Sequence, residues 1–128
     1  MPSITRHNPR TVHPPVGFYS LGLELAGHQR LMFVSGQIPA APDGSVPQGF
    51  EAQCEQAWRN VMSVLASAGL GVEHIVKLNT FLTDRSQIET NRAIRRRMLQ
   101  GHEPASTVMI ATTLDPKWLL EIEAIAAA

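Results

Sequence analysis

The chain has 128 residues, 44% hydrophobic and 17% charged, which fits one globular domain and excludes a two-domain enzyme. Eleven basic residues balance eleven acidic ones, so no net field draws the protein to nucleic acid or to an anionic membrane. The single cysteine, Cys54, excludes an intramolecular disulfide, and without an apolar run of ~20 residues or a leader-like N-terminus the expectation is a soluble, cytoplasmic protein with no membrane partner.

Residues 1–16 hold Pro2, Pro9, Pro14 and Pro15 with little apolar periodicity, and predict an extended arm ahead of a single domain over 17–128. In Phe18–Leu25, Leu21, Leu23 and Leu25 share one face at period two, as a half-buried strand requires. Gly27-His28-Gln29 reads as a turn into the apolar run Leu31–Ser35, a strand expected to be buried on both faces and to form a hairpin with the first. Gly36 through Pro47 carries three prolines and two glycines and predicts a loop.

From Gln48 to Ala68, Cys54, Ala57, Trp58, Val61, Leu65 and Ala68 recur at spacings of three and four, the period of one helical face, and Gly69 supplies the stop. Ile75–Leu82 is a third strand. Ser86 and Glu89 have capping-box spacing for a second helix that carries Ile88, Ile94, Met98 and Leu99 and ends at Gly101. Ser106–Thr113 and Leu119–Ala126 are the last strands, separated by Leu114–Trp118. The order ββαβαββ predicts an α+β fold, one mixed sheet with both helices on one face. Aromatic residues are only 5%, so the core of a lone copy is modest, and copies closing about an axis would cover the other face.

The five histidines never fall at the spacing that aims two imidazoles at one metal, so no metal site is expected. Cys54 lies on the apolar stripe without a neighbouring cation and reads as core. Arg92, Arg95, Arg96 and Arg97 spread around the second helix and read as a solvated face rather than an anion site. No aromatic platform accompanies them, which disfavours nucleic acid as a partner. Glu121 and Glu123 alternate with Ile122 and Ala124, so both carboxylates leave one face of the last strand, where they either meet solvent or basic partners or position a water.

Four stretches in this order resemble the Rid family of reactive-intermediate deaminases, also called the YjgF or translation-initiation-inhibitor-like family. They are Gly17-Phe18-Tyr19-Ser20, Ser35-Gly36-Gln37-Ile38-Pro39, Ala68-Gly69-Leu70 running into Ile75-Val76-Lys77, and Glu121-Ile122-Glu123-Ala124-Ile125-Ala126. The resemblance spans about Pro15 to Ala126 and implies a chorismate-mutase-like (YjgF-like) subunit in a homotrimer, with small-molecule clefts between subunits. It also implies hydrolysis of imines and enamines such as 2-aminoacrylate to a keto acid and ammonia, with no metal or cofactor. By the same resemblance Glu121 holds the attacking water, and Tyr19, Ser35 and Asn91 shape the substrate site. The family's carboxylate-clamping arginine falls at Ser106 in Pro104-Ala105-Ser106-Thr107, its frequent cysteine at Val108, and a frequent aromatic at Ile94.

A serine hydroxyl replaces a bidentate, charged contact with one neutral hydrogen bond, so efficient deamination of amino-acid-derived imines is not expected. Two compensations fit: Arg95, one helical turn beyond Asn91, reaches the same site, or the substrate lacks a carboxylate. Apolar Ile94 and Val108 favour the second. The rival readings are a non-catalytic, metabolite-binding trimer, which the lost arginine favours, and an endoribonuclease or translation inhibitor, which the zero net charge disfavours.

Overall fold

Alternation along each strand sorts its side chains between a helix-covered face and an open one. The computed structural model describes residues 2–128. Its elements are β1 (Ser3–His7), β2 (Gly22–Ala26), β3 (Leu31–Gln37), α1 (Phe50–Ser67), β4 (Ile75–Leu82), α2 (Ile88–Leu99), β5 (Ala105–Ile110) and β6 (Leu120–Ala127).

Four strands form a mixed sheet in the order β3-β6-β4-β5, in which only β4 and β5 are parallel, joined through α2. β1 and β2 make a separate antiparallel ladder with Ser3 opposite Ala26. The hairpin expected between the first two predicted strands is therefore not formed: β2 pairs back with the N-terminal arm, and β3 pairs with the C-terminal strand. Alternation dictates which face a residue occupies but leaves the partner strand open.

Both helices lie on one face, as expected. α1 packs on β3 and β6 and against α2. Trp58, Val61 and Leu65 of α1 and Ile94 and Leu99 of α2 meet Leu78, Leu82, Leu120 and Ile122 of the sheet in one core. Each such side chain contributes roughly 1.5–3 kcal/mol by leaving water. α1 ends in paired capping bonds, Leu70 N–H to Leu65 O at 3.0 Å and Gly69 N–H to Ala66 O at 2.9 Å, which need the positive φ of 72° at Gly69.

The start of α2 departs from the predicted capping box. Asp84, rather than Ser86, is the cap: its carboxylate accepts from the Ser86 N–H at 2.8 Å, and Gln87 Oε1 accepts from the N–H groups of Thr83 and Asp84. A 3₁₀ turn at Arg85–Gln87 then feeds the helix.

The open face of the sheet carries Leu31, Phe33 and Met109, with Phe33 69% exposed. The expectation that Leu31–Ser35 is buried on both faces fails in the single chain, where Val34 is buried toward the helices while Leu31, Phe33 and Ser35 face outward. Apolar side chains left open in this way are what association with another molecule would cover.

Candidate active site

β5 is an edge strand. Ser106 pairs with Leu78 and Val108 with Thr80, two fully or nearly buried positions, so Ser106 and Val108 point to the helix side. There β5, α2 and the loop 16–19 enclose a cavity of about 320 Å³ lined by Tyr19, Asn91, Arg95, Ser106 and Val108 among others.

The loop is held by its neighbours. Ser20 N–H donates to Pro104 O at 3.1 Å and its hydroxyl to Glu103 O at 2.7 Å, which ties the loop to the start of β5. Gly17, at φ 143°, bends the chain over α2 so that Arg95 Nη2 lies 3.9 Å from where a Cβ would stand. Phe18 accepts the Arg96 guanidinium on its ring face, 3.8 Å from the centroid. Tyr19 Oη accepts the Val16 N–H at 3.2 Å, which leaves its own proton free to donate.

Asn91 is 1% exposed, and its Oδ1 lies 3.8 Å from the Cys54 thiol, which donates to it across the α1–α2 contact. Burial pushes the Cys54 pKa up to about 12, assisted by Glu55, so the thiol keeps its proton and the nucleophilic thiolate is suppressed. The cysteine is core, as its place on the apolar stripe predicts.

The four arginines do not form the uniform solvated face expected of them. Arg92 pairs with Glu89 at 3.0 Å and Arg97 with Glu55 at 3.3 Å, while Arg96 covers Phe18. Arg95 is 4% exposed and, among the described residues, has neither an ion-pair nor a hydrogen-bond partner. Burial lowers its pKa from the usual arginine value, the neighbouring Arg92 charge adds to that, and Tyr19 opposes it. Folding of the distant loop over the helix is what hides Arg95, and local charge density does not report it.

Glu121 and Glu123 leave the open face of β6, as alternation predicts. Glu123 accepts from Asn79 Nδ2 at 2.9 Å. Glu121 packs against β3 where the ladder slips between Val34 and Gln37: a Cβ at Gly36 would lie 2.7 Å from Glu121 Oε1. The glycine of the Ser-Gly-Gln stretch thus clears a seat for the carboxylate. Ser35 lines a separate depression of about 230 Å³ with Lys77, Asn79 and Glu123.

Of the residues singled out in the sequence, the structure brings Tyr19, Asn91, Arg95, Ser106 and Val108 to one cavity. Ser35 and Glu121 stand on the opposite face of the sheet, and one chain does not join the two sets. Ile94 packs into the core at 3% exposure and does not line the cavity. Sequence reasoning missed two supports, the close approach of Gly36 to Glu121 and the Cys54–Asn91 contact. The first was marked by a glycine inside a strand, between Ser35 and Gln37. Among the described residues no group of three or more His, Cys, Asp or Glu side chains could hold a metal ion, and no helix is long and apolar enough to cross a membrane.

This α+β domain has a small, partly polar cavity beside an edge strand, of a size to admit a small molecule. The family model described as Endoribonuclease L-PSP matches residues 11–128, and the chain belongs to this family, which includes the Rid/YjgF reactive intermediate deaminases. It is 34% identical over 115 residues to the 2-iminobutanoate/2-iminopropanoate deaminase of Escherichia coli, covering 87% of this chain and 88% of that protein. A Rid-family protein of unknown function, YyfB from Yersinia pestis, superposes with a TM-score of 0.86 at 27% identity over 98% of both chains. Escherichia coli TdcF, crystallised with bound serine, superposes at 0.72 with 30% identity, over 89% of this chain and 91% of that one.

Proposed function

We propose that this protein hydrolyses small imine and enamine intermediates to a carbonyl compound and ammonia, as a homotrimer whose substrate clefts lie between subunits. The observation that carries this reading is the gathering of Tyr19, Asn91, Arg95 and Ser106 around one small cavity in a chain whose relatives are named deaminases. Ser35 and Glu121 stand on the apolar open face that another copy would cover. In the trimer that face of one subunit abuts the cavity of its neighbour, so Glu121 supplies the carboxylate the cavity lacks.

The chemistry needs little more. An enamine first tautomerises to the imine. Glu121 orients a water and accepts its proton as oxygen attacks the imine carbon, the C=N π electrons moving to nitrogen, which then takes up the proton from Glu121. Collapse of the resulting carbinolamine forms C=O, breaks C–N and releases ammonia. Tyr19 and Asn91 fix the substrate's orientation within the cleft.

The test is release of ammonia and keto acid from freshly generated 2-aminoacrylate and 2-iminobutanoate, with neutral imines alongside. Glu121→Gln is expected to lower turnover on the order of 100-fold or more while the assembly persists. Unchanged turnover in that variant removes Glu121 from the mechanism. The replacement of the family arginine by Ser106 favours a second reading, a trimer that binds a small metabolite without converting it, and ligand binding with no turnover on any of these substrates decides for it.

A further inference from the structure

The wall of the 320 Å³ cavity is chemically one-sided. Arg95 offers up to five N–H donors and no acceptor, and no carboxylate of the same chain is among the lining residues. Asn91 Oδ1 accepts weakly from the Cys54 thiol at 3.8 Å, and its amide N–H₂ has no partner among the described residues. Tyr19 Oη accepts from a backbone N–H and keeps a proton to give. Ser106 Oγ is buried with no hydrogen-bond partner. With the neighbour's Glu121 committed to the water, a wall rich in donors, in which the buried Arg95 guanidinium stands beside the Glu89-paired Arg92, favours an acceptor-rich anion as ligand.

We propose that Arg95, projecting from α2, is the residue that recognises a ligand carboxylate in this protein, a task that Ser106 cannot perform. The proposal rests on the reading of this cavity as the substrate site. It reverses the preference drawn from Ser106, Val108 and Ile94, because Ile94 does not reach the cavity and the buried guanidinium does. Ser106 occupies the position from which the family arginine would project, and its small side chain leaves the room in which a carboxylate meets Arg95 from the helix side. Glu89 leaves Arg95 unpaired by engaging Arg92 instead. Gly17 carries the loop over the guanidinium without a side chain, which keeps bulk water from it.

The experiment is equilibrium binding to the full-length protein by calorimetry, with 2-oxobutanoate as a stable carboxylate probe and 2-oxobutanamide as its neutral counterpart. Wild type is expected to prefer the carboxylate by on the order of 50-fold, the scale of a charge-assisted bidentate contact. Arg95→Gln is expected to erase that preference, weakening carboxylate binding far more than amide binding. Arg95→Lys, which keeps the charge but loses the fork, is expected to retain part of it and stands in if the glutamine variant does not fold. Equal affinity for the two probes, no carboxylate binding at millimolar concentration, or carboxylate binding undiminished in either variant overturns the proposal. Because no turnover is needed, carboxylate selectivity without catalysis upholds Arg95 and sinks the deaminase reading. Turnover with no dependence of selectivity on Arg95 does the reverse.

Discussion

The helix side and the open side of the sheet are built on opposite terms. On the helix side, Trp58, Leu65 and Ile122 are sealed from water, and even a guanidinium and an amide are placed to within a few per cent of full burial. On the open side, Leu31 and Phe33 face solvent on the same sheet face as two carboxylates. The core of the first region is finished within one chain. The second combines apolar surface with acidic groups and, in the proposed trimer, becomes a site only against another copy. The difference explains why the residues aligned with one family site fall into two groups on either side of the sheet.

Three changes test this division. Phe33→Asp puts a charge on the open face and costs on the order of 3 kcal/mol per interface if that face joins copies. Light scattering is expected to show a monomer at micromolar concentration, with an unchanged circular dichroism spectrum. A Phe33→Asp trimer would move the interface elsewhere.

Cys54→Ala tests the finished side. The buried thiol has a pKa raised to about 12, so in the native state it stays protonated at pH values where the unfolded chain ionises. Its contribution is fully present below the unfolded thiol pKa and is lost as pH rises from about 9 toward about 12, up to a few kcal/mol in all. Denaturant melts of wild type are expected to weaken over that window, and the alanine variant is expected to lose most of the extra slope. At neutral pH the same substitution costs about 1–2 kcal/mol through the small void and the lost donor to Asn91.

Gly36→Ala gives the smallest change in stability and a specific one in activity. The new methyl meets Glu121 Oε1 and displaces that carboxylate without touching the helix-side core. Turnover is expected to drop by about 10-fold with Tm within about 2 °C of wild type. An unaffected rate would mean that the seat of Glu121 is immaterial to catalysis.

Elements with a full amphipathic period were legible from the sequence. The stripe from Cys54 to Leu65 and the alternation from Leu120 to Ala126 both fall where the pattern puts them. Strand partnership was not, because the same leucines of β2 satisfy either neighbour and only the global closure selects β1. Within the candidate site, Tyr19 and Asn91 were visible through resemblance. The burial of Arg95 was hidden, since it depends on a loop about 75 residues away in sequence folding over α2.

Cys54 is the chain's single thiol, fully buried and held protonated at ordinary pH. The wild-type protein is thus already a quiet background for chemical labelling. A cysteine introduced at Ala52, exposed on α1 away from the open face, would be the one reactive position, and a fluorophore placed there would report on subunit exchange without first engineering the native thiol away.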